Sequence, residues 1–391
     1  MRYISETLST PVRYDCDVFV AGGGIAGVSA ALAAAREGAR VILAERGFFP
    51  GGLATAGLIA IYLPIADGKG RQASFGIAGE LLRLAVEHGA VDRFPQAWHR
   101  EGMTPEDCAK NRRISVQYNP NVFAILLEEL LLKEQVRILY GTTVCGVVTA
   151  RDRITEAVVE NKSGRSAVAA GAFVDATGDA DLWTFAGAKT QDAPEGNALA
   201  AWYYFHDTKG VQLKILGAAD GPEEETGLVP QRFRGTDGEE LSRFMQLSHK
   251  AVMQDVAARR RDDASTELVC MGSIPQLRMT RRIVGCYTLE DRDGGNGFPD
   301  SIGMVASWRS RGVIYQIPYR TLYGPEFANL ITAGRSLSAT GLLWDCCRVI
   351  PACAVTGQAA GTAAAMGGDF RTLDVGELQR RLKLRGVKPW L

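Results

Sequence analysis

A glycine-rich turn near the amino end constrains this chain more than any other feature. Residues 17–21, Asp-Val-Phe-Val-Ala, are a short apolar run suited to a strand buried on both faces. Gly22, Gly24 and Gly27 follow in the spacing GxGxxG, ahead of an Ala-rich helical stretch that reaches Glu37 and stops at Gly38. Residues 40–44, Arg-Val-Ile-Leu-Ala, read as a second strand closing on Glu45, 23 residues after the first glycine. This is a βαβ unit suited to a nucleotide diphosphate. Gly22 permits the tight turn, Gly24 lets phosphate oxygens approach the backbone, and Gly27 lets the helix pack closely on the strand. The helix start, with Ile25 and Ala26, supplies unpaired N–H groups and about half a positive charge. Glu45, followed by Arg46, is placed to accept hydrogen bonds from ribose hydroxyls, and its charge would repel a 2′-phosphate. The loop alone leaves NAD and FAD both open.

Composition narrows the remaining classes. Glycine, 44 of 391 residues, exceeds the usual level of about 7% without any period, which excludes a collagen-like chain. At about 150 residues per domain the length suits two to three domains, with core enough to need no staple. Lys and Arg total 44 against 44 Asp and Glu, so nothing points to nucleic acid or an anionic membrane. The eight cysteines (16, 108, 145, 270, 286, 346, 347 and 353) include no CxxC pair, and the four histidines (88, 99, 206 and 249) are scattered. Neither a disulfide scaffold nor a metal site is expected. Two uncharged stretches, 19–35 and 349–368, are rich in Gly and Ala and read as buried helices of a reduced, cytoplasmic protein.

Along the chain, residues 76–88 and 121–134 read as helices, and 137–140, 144–150, 154–160 and 166–170 as short strands, with a hairpin turn at 161–164. Phe173-Val-Asp-Ala-Thr-Gly178 reads as another buried strand ending in a glycine turn. From about 194 to 323 the character changes to aromatic strand-like segments and one long amphipathic helix, 239–261. The charge runs 259–263 and 290–293 read as solvated loops. A strand at 329–333, a Gly334-Arg335 turn and a helix at 351–366 then restore the opening pattern. The expected fold is α/β: a discontinuous FAD/NAD(P)-binding Rossmann-like domain over 1–190 and 326–391, with an inserted α+β substrate domain over 191–325.

Six segments, in order, resemble those of the FAD-dependent oxidoreductase family, whose flavin domain is of the glutathione-reductase type. They are Gly51–Gly57, Phe173–Leu182, Leu277–Gly285, Ile317–Arg320, Asn329–Ser336 and Arg348–Gly361, and the resemblance spans residues 15–368. Fumarate-reductase-type flavoproteins are more distantly similar. The resemblance implies FAD, held non-covalently because no histidine stands near Gly51-Gly52. It implies that Gly22, Gly24 and Gly27, with Ile25 and Ala26, hold the pyrophosphate and that Glu45 and Arg46 lie at the ribose. Gly51 and Gly52 would lie along the flavin and Val144 against adenine. Ala176, Gly178 and Asp179 would approach the pyrophosphate, and Gly334 and Arg335 the ribityl chain. The helix at Pro351, entered at Ile350, would point its start at the pyrimidine edge of the isoalloxazine. No second GxGxxG before a helix follows residue 60, and the glycines at 294–297 run into Phe298-Pro299. Reducing equivalents are therefore expected to come from the substrate or leave to a partner, without a nicotinamide domain.

A flavin that accepts hydride needs a neighbouring group to manage the substrate proton. Strand alternation puts Trp202, Tyr204 and His206 on one face, either a substrate wall with a base at one end or an ordinary aromatic sheet face. Arg278, Arg281, Arg282, Arg320 and Arg348 lie in the family-like segments, where guanidinium forks suit an anionic substrate or structural acids. Arg281 and Arg282 must face opposite ways. Arg281, Arg348 and His206 are the catalytic candidates. Cys346-Cys347 reads as two buried apolar residues rather than a redox pair, and Trp344-Asp345 is placed to cover the flavin. The favoured function is hydride transfer between flavin N5 and a small organic substrate, with self-association left open. The alternatives are a flavoprotein without net redox turnover (isomerase-like or with structural FAD), an NAD-dependent dehydrogenase, and a nucleotide-binding regulatory module.

Overall fold

The computed structural model describes residues 2–69, 71–88, 116–217 and 228–391; His99 and Cys108 lie outside them. The opening βαβ unit stands as expected: β1 (Val12–Ala21), α1 (Ile25–Arg36) and β2 (Val41–Ala44). The short β3 (Ile61–Tyr62) precedes α2 (Ile77–Glu87) and pairs with β4 (Val116–Gln117). Asn119 caps α3 (Pro120–Lys133), accepting from the N–H groups of Asn121 and Val122, and β5 (Arg137–Leu139) follows. Then come β6 (Thr143–Ala150), β7 (Arg153–Asn161), β8 (Gly164–Asp175) and the one-turn α4 (Asp181–Phe185).

The two strands read at 166–170 and 173–178 are one. Gly171 looked like a break, yet a Cβ there would sit 3.3 Å from the Asp17 carbonyl, and pairing with β1 continues through it from Ala170 to Ala172. Glycine lets β8 run close beside β1 for its whole length.

The second half contains β9 (Thr190–Asp192), β10 (Tyr203–Asp207), β11 (Gly210–Lys214), α5 (Gly238–Asp262), β12 (Glu267–Met271) and β13 (Arg281–Ile283). After β14 (Ser301–Ala306), β15 (Ile314–Pro318) and β16 (Leu330–Thr332) come α6 (Gly341–Cys347), α7 (Ile350–Met366) and α8 (Val375–Leu384). Strands β5, β2, β1 and β8 form a parallel sheet in that order. β16 continues it along the end of β8, and β7 and β6 hang antiparallel from the first half of β8. Every residue of α1 from Ile25 to Ala34 is buried, and α7 is buried almost throughout, so both helices are core on all sides.

The stretch 349–368 is thus a helix, as read, but α6 meets it at 81°, and no single helix among the described residues is long and apolar enough to cross a membrane. Both charge runs were misread. Residues 259–262 complete α5, where Arg259 pairs with Asp255 one turn back, and Asp263 ends it. Residues 291–293 form a helical turn closed by a reciprocal box in which Glu290 and Asp293 cap each other, with Asp293 buried. A separate three-stranded sheet, β11-β10-β12, packs Tyr203 and Phe205 against Val252 and Val256 of α5.

Candidate active site

Four parallel strands end on one edge of the main sheet, and the turns that leave them converge there. The turn after β1 is backbone against backbone. Gly22 has φ +95°, and a Cβ on it would lie 2.6 Å from the Ala176 carbonyl oxygen; a Cβ on Gly27 would lie 1.8 Å from the Gly22 oxygen. At Gly24 a Cβ would meet no protein atom within 4 Å, so this glycine borders a cradle rather than a wall. The first helical bond of α1 runs from Val28 N–H to the Gly24 carbonyl, 2.9 Å, which leaves the N–H groups of Ile25, Ala26 and Gly27 without helical acceptors. Gly51 N–H donates to Gly23 O at 2.8 Å, and Gly51-Gly52 thereby buttresses the first loop.

Glu45 ends β2 with its carboxylate spanning the turn: Oε2 accepts from Gly23 N–H at 2.7 Å and Oε1 from Gly47 N–H at 2.6 Å. Arg46 is exposed beside it and Val144 half-buried on β6. The turn after β8 is fixed by Asp175, a buried residue that sequence reading passed over. Its carboxylate accepts from Thr177 N–H and Oγ1 and from the N–H groups of Leu182 and Trp183. Burial, and next the charge of Asp181, push its carboxyl up to about 7 against those donors. Its signal was the Asp-x-Thr spacing, in which a short side chain bonds the backbone two residues on.

Gly178 and Asp179 are tied to the turn after β16. Arg335 donates to Gly178 O (2.8 Å), Leu277 O (2.8 Å) and Asp179 Oδ1 (2.7 Å), and Thr280 Oγ1 donates to the same Asp179 oxygen. Gly334 N–H donates to Thr356 Oγ1 at 3.0 Å, which fixes that turn to α7. Helix α7 lies parallel to α1 at contact distance. A Cβ on Gly357 would be 2.3 Å from Ala26 O, and one on Gly361 2.0 Å from Ala30 O. Since Gly357 sits beside Ala26, α7 begins six residues, about 9 Å, further out than α1. Two positive helix ends therefore face the crevice at different depths. The cradle at Gly24, the free N–H groups behind it and the offset start at Ile350 fit a long cofactor carrying a diphosphate.

The sequence decides which. The family model described as FAD dependent oxidoreductase matches residues 17–201 and 236–382. The chain belongs to that family. FAD is the cofactor of this oxidoreductase, and the mixed α/β fold with its parallel sheet suits it. No curated protein matches the chain in sequence. Among solved structures, the oxidoreductase is similar to a geranylgeranyl bacteriochlorophyll reductase-like protein from Thermoplasma acidophilum. Identity there is 11% and the TM-score 0.47, over 95% of this chain and 83% of that one. The flavin-dependent brominase Bmp2 gives 13% identity and a TM-score of 0.48, over 94% and 83%. A flavocytochrome c3 fumarate reductase gives 15% and 0.46, over 91% and 79%.

The candidates for chemistry separate in space. Arg281 is committed: its guanidinium donates to Asp179 O at 2.6 Å and to Asp181 Oδ1 at 2.9 Å. Arg282, on the other face of β13, is buried against Gln191 and the Ile283 carbonyl, and Arg320 pairs with Asp300. Just before β10, Trp202 is buried, with its N–H and C=O both held by Gln276. Tyr204 Oη donates to Tyr118 O, and Tyr118 Oη to Ala54 O in the loop after Gly51. This face therefore reaches the crevice, whereas His206 stands at its exposed end. Arg348 lies at the corner between α6 and α7 and pairs with Asp345, whose other oxygen takes Arg309 Nε at 2.7 Å. Arg309 escaped sequence reading because it sits outside the family-like segments. Burial pushes the Cys346 thiol up to about 11 and Cys353 up to about 12, away from thiolate chemistry. No cluster of three metal-ligating side chains occurs among the described residues.

Proposed function

We propose that this oxidoreductase exchanges hydride between a small organic substrate and non-covalently held FAD, with 1–190 and 326–391 binding the cofactor and 191–325 covering the substrate. Bound FAD would supply the hydride-carrying N5 centre, and the chain would supply position and field. The observation that carries this reading is the pair of parallel helix starts offset by about 9 Å along one crevice. The inner start, behind Gly24, would neutralise the diphosphate through the N–H groups of Ile25, Ala26 and Gly27. Glu45, already oriented by Gly23 and Gly47, would accept from the ribose. The outer start, at Ile350, would favour negative charge at the pyrimidine edge, where charge gathers on reduction. Trp202 and Tyr204 would close the substrate side and exclude water, which strengthens that field.

The experiment is anaerobic. Purified protein should be yellow and release FAD on heating, and a panel of small alcohols, amines, sugars and carboxylates should contain a compound that bleaches the flavin stoichiometrically. Rapid bleaching by NADH or NADPH in place of such a compound would overturn direct transfer from the substrate.

A further inference from the structure

We propose that the surface formed by α8 and the residues after it docks on an anionic lipid bilayer. Such docking is independent of the flavin chemistry and fixes where the oxidoreductase works. The balance of 44 basic against 44 acidic residues over the whole chain conceals a local excess. Residues 380–391, Arg-Arg-Leu-Lys-Leu-Arg-Gly-Val-Lys-Pro-Trp-Leu, carry five cations and no acid. Two carboxylates reach them: Glu377 pairs with Arg380 and Arg381, and Glu37 with Arg381 and Arg385. Together with the half negative charge at the end of α8, these answer about half of the five. Lys383 and Lys388 make no ion pair among the described residues. Each ammonium lies over a ring instead, Lys383 Nζ 4.2 Å from the Trp390 centroid and Lys388 Nζ 4.6 Å from that of Phe75.

The same surface shows apolar side chains to water. Leu384 is 73% exposed, Leu391 66% and Trp390 41%, although α8 buries Leu378 and Leu382 completely. Leu384 stands one turn on from Arg380 and Arg381, away from the face that packs on the core. Trp390 is held in place rather than trailing. Val387 is buried and donates its N–H to Leu382 O at 3.0 Å, and Pro389 O accepts from Ser301 Oγ. Leucine and tryptophan exposed among lysines and arginines suit a lipid interface, where an indole sits at headgroup level and cations gain from the negative surface potential. A nucleic acid would use the cations and leave the leucines wet. The orientation follows from α1. Arg381 and Arg385 meet Glu37 at its end, whereas the crevice lies at its start, about 18 Å away. Docking there would leave the crevice open to water, so that the substrate enters from solution.

The test sediments the purified holoprotein with vesicles, each variant first checked by its melting temperature. Vesicles of equal parts phosphatidylcholine and phosphatidylglycerol should carry the protein down, and salt should release it, whereas phosphatidylcholine alone should not bind it. Lys383→Gln combined with Lys388→Gln removes two of the charges and should weaken binding about 30-fold. Leu384→Ser should weaken it about 3- to 10-fold. Lys162→Gln combined with Lys209→Gln, at two exposed lysines on distant hairpin turns, should change nothing. Failure to bind the mixed vesicles overturns the proposal, and that measurement needs no variant to fold. Equal binding to both kinds of vesicle, or an equal loss with either lysine pair, also overturns it. So does binding that Leu384→Ser leaves unchanged while duplex DNA competes for it, which would assign the surface to a nucleic acid.

Discussion

The two sides of the crevice are built from opposite materials. On the proposed cofactor side the work is done by backbone: Gly22, Gly27, Gly357 and Gly361 bring main chain within contact of main chain, and N–H groups would be the recognition elements. On the proposed covering side it is done by large side chains held across long sequence separations, with Gln276 clamping Trp202 and Tyr204 reaching Tyr118. A backbone surface tolerates no added carbon, whereas a side-chain surface can be retuned for another substrate. The first should therefore be brittle and the second plastic.

The largest effect should come from Gly27→Val. Its branched side chain would enter the space of the Gly22 carbonyl, and we expect a loss of at least about 3 kcal/mol together with all bound FAD, read by thermal melting and cofactor release. A yellow, stable variant would break the contrast at its strongest point. Glu45→Ala should fold, since Glu45 borders the crevice rather than filling it. It should weaken FAD about 10- to 100-fold by equilibrium titration, the range for bonds to a charged group.

The next test concerns charge. Asp175 has its folded carboxyl pushed up to about 7 by burial, against 3.8 when unfolded. Between those values the native state binds more protons than the unfolded state, so this group's contribution to stability falls as pH rises from about 4 to about 7. The slope approaches about 1.4 kcal/mol per pH unit at most. Chemical denaturation across that window should show the fall, and Asp175→Asn should flatten it. A slope unchanged in the variant would place the titration elsewhere. The smallest effect is expected on the covering side. Tyr204→Phe removes one hydroxyl bond and should cost about 1 kcal/mol or less while FAD affinity stays put. A large loss of FAD there would show the two sides to be one unit.

The same contrast explains what the sequence made legible. A glycine demanded by close approach leaves a mark at its own position, so the turn after β1 could be found by spacing, those after β8 and β16 by a glycine closing an apolar strand, and Gly51-Gly52 after β2 by the family resemblance. A bond between distant side chains leaves none. Nothing at Arg281 announces that Asp179 and Asp181 occupy it, and nothing at Asp345 announces Arg309. The charge runs failed for a related reason. Charges every three or four residues suit a solvated loop and a helix end equally, and only the fold shows that Asp293 turns inward to cap. Gly171 misled in the other direction, since a glycine inside a strand looks like its end.

The pairing of α1 with α7 also bears on how the molecule is made. Helix α1 is buried almost throughout, and the residues that must cover Ala26 and Ala30 are synthesised about 330 positions after it. Until then the nascent chain lacks the helix that covers α1, and a chain cut short before Ile350 should collapse into aggregates rather than yield half a protein.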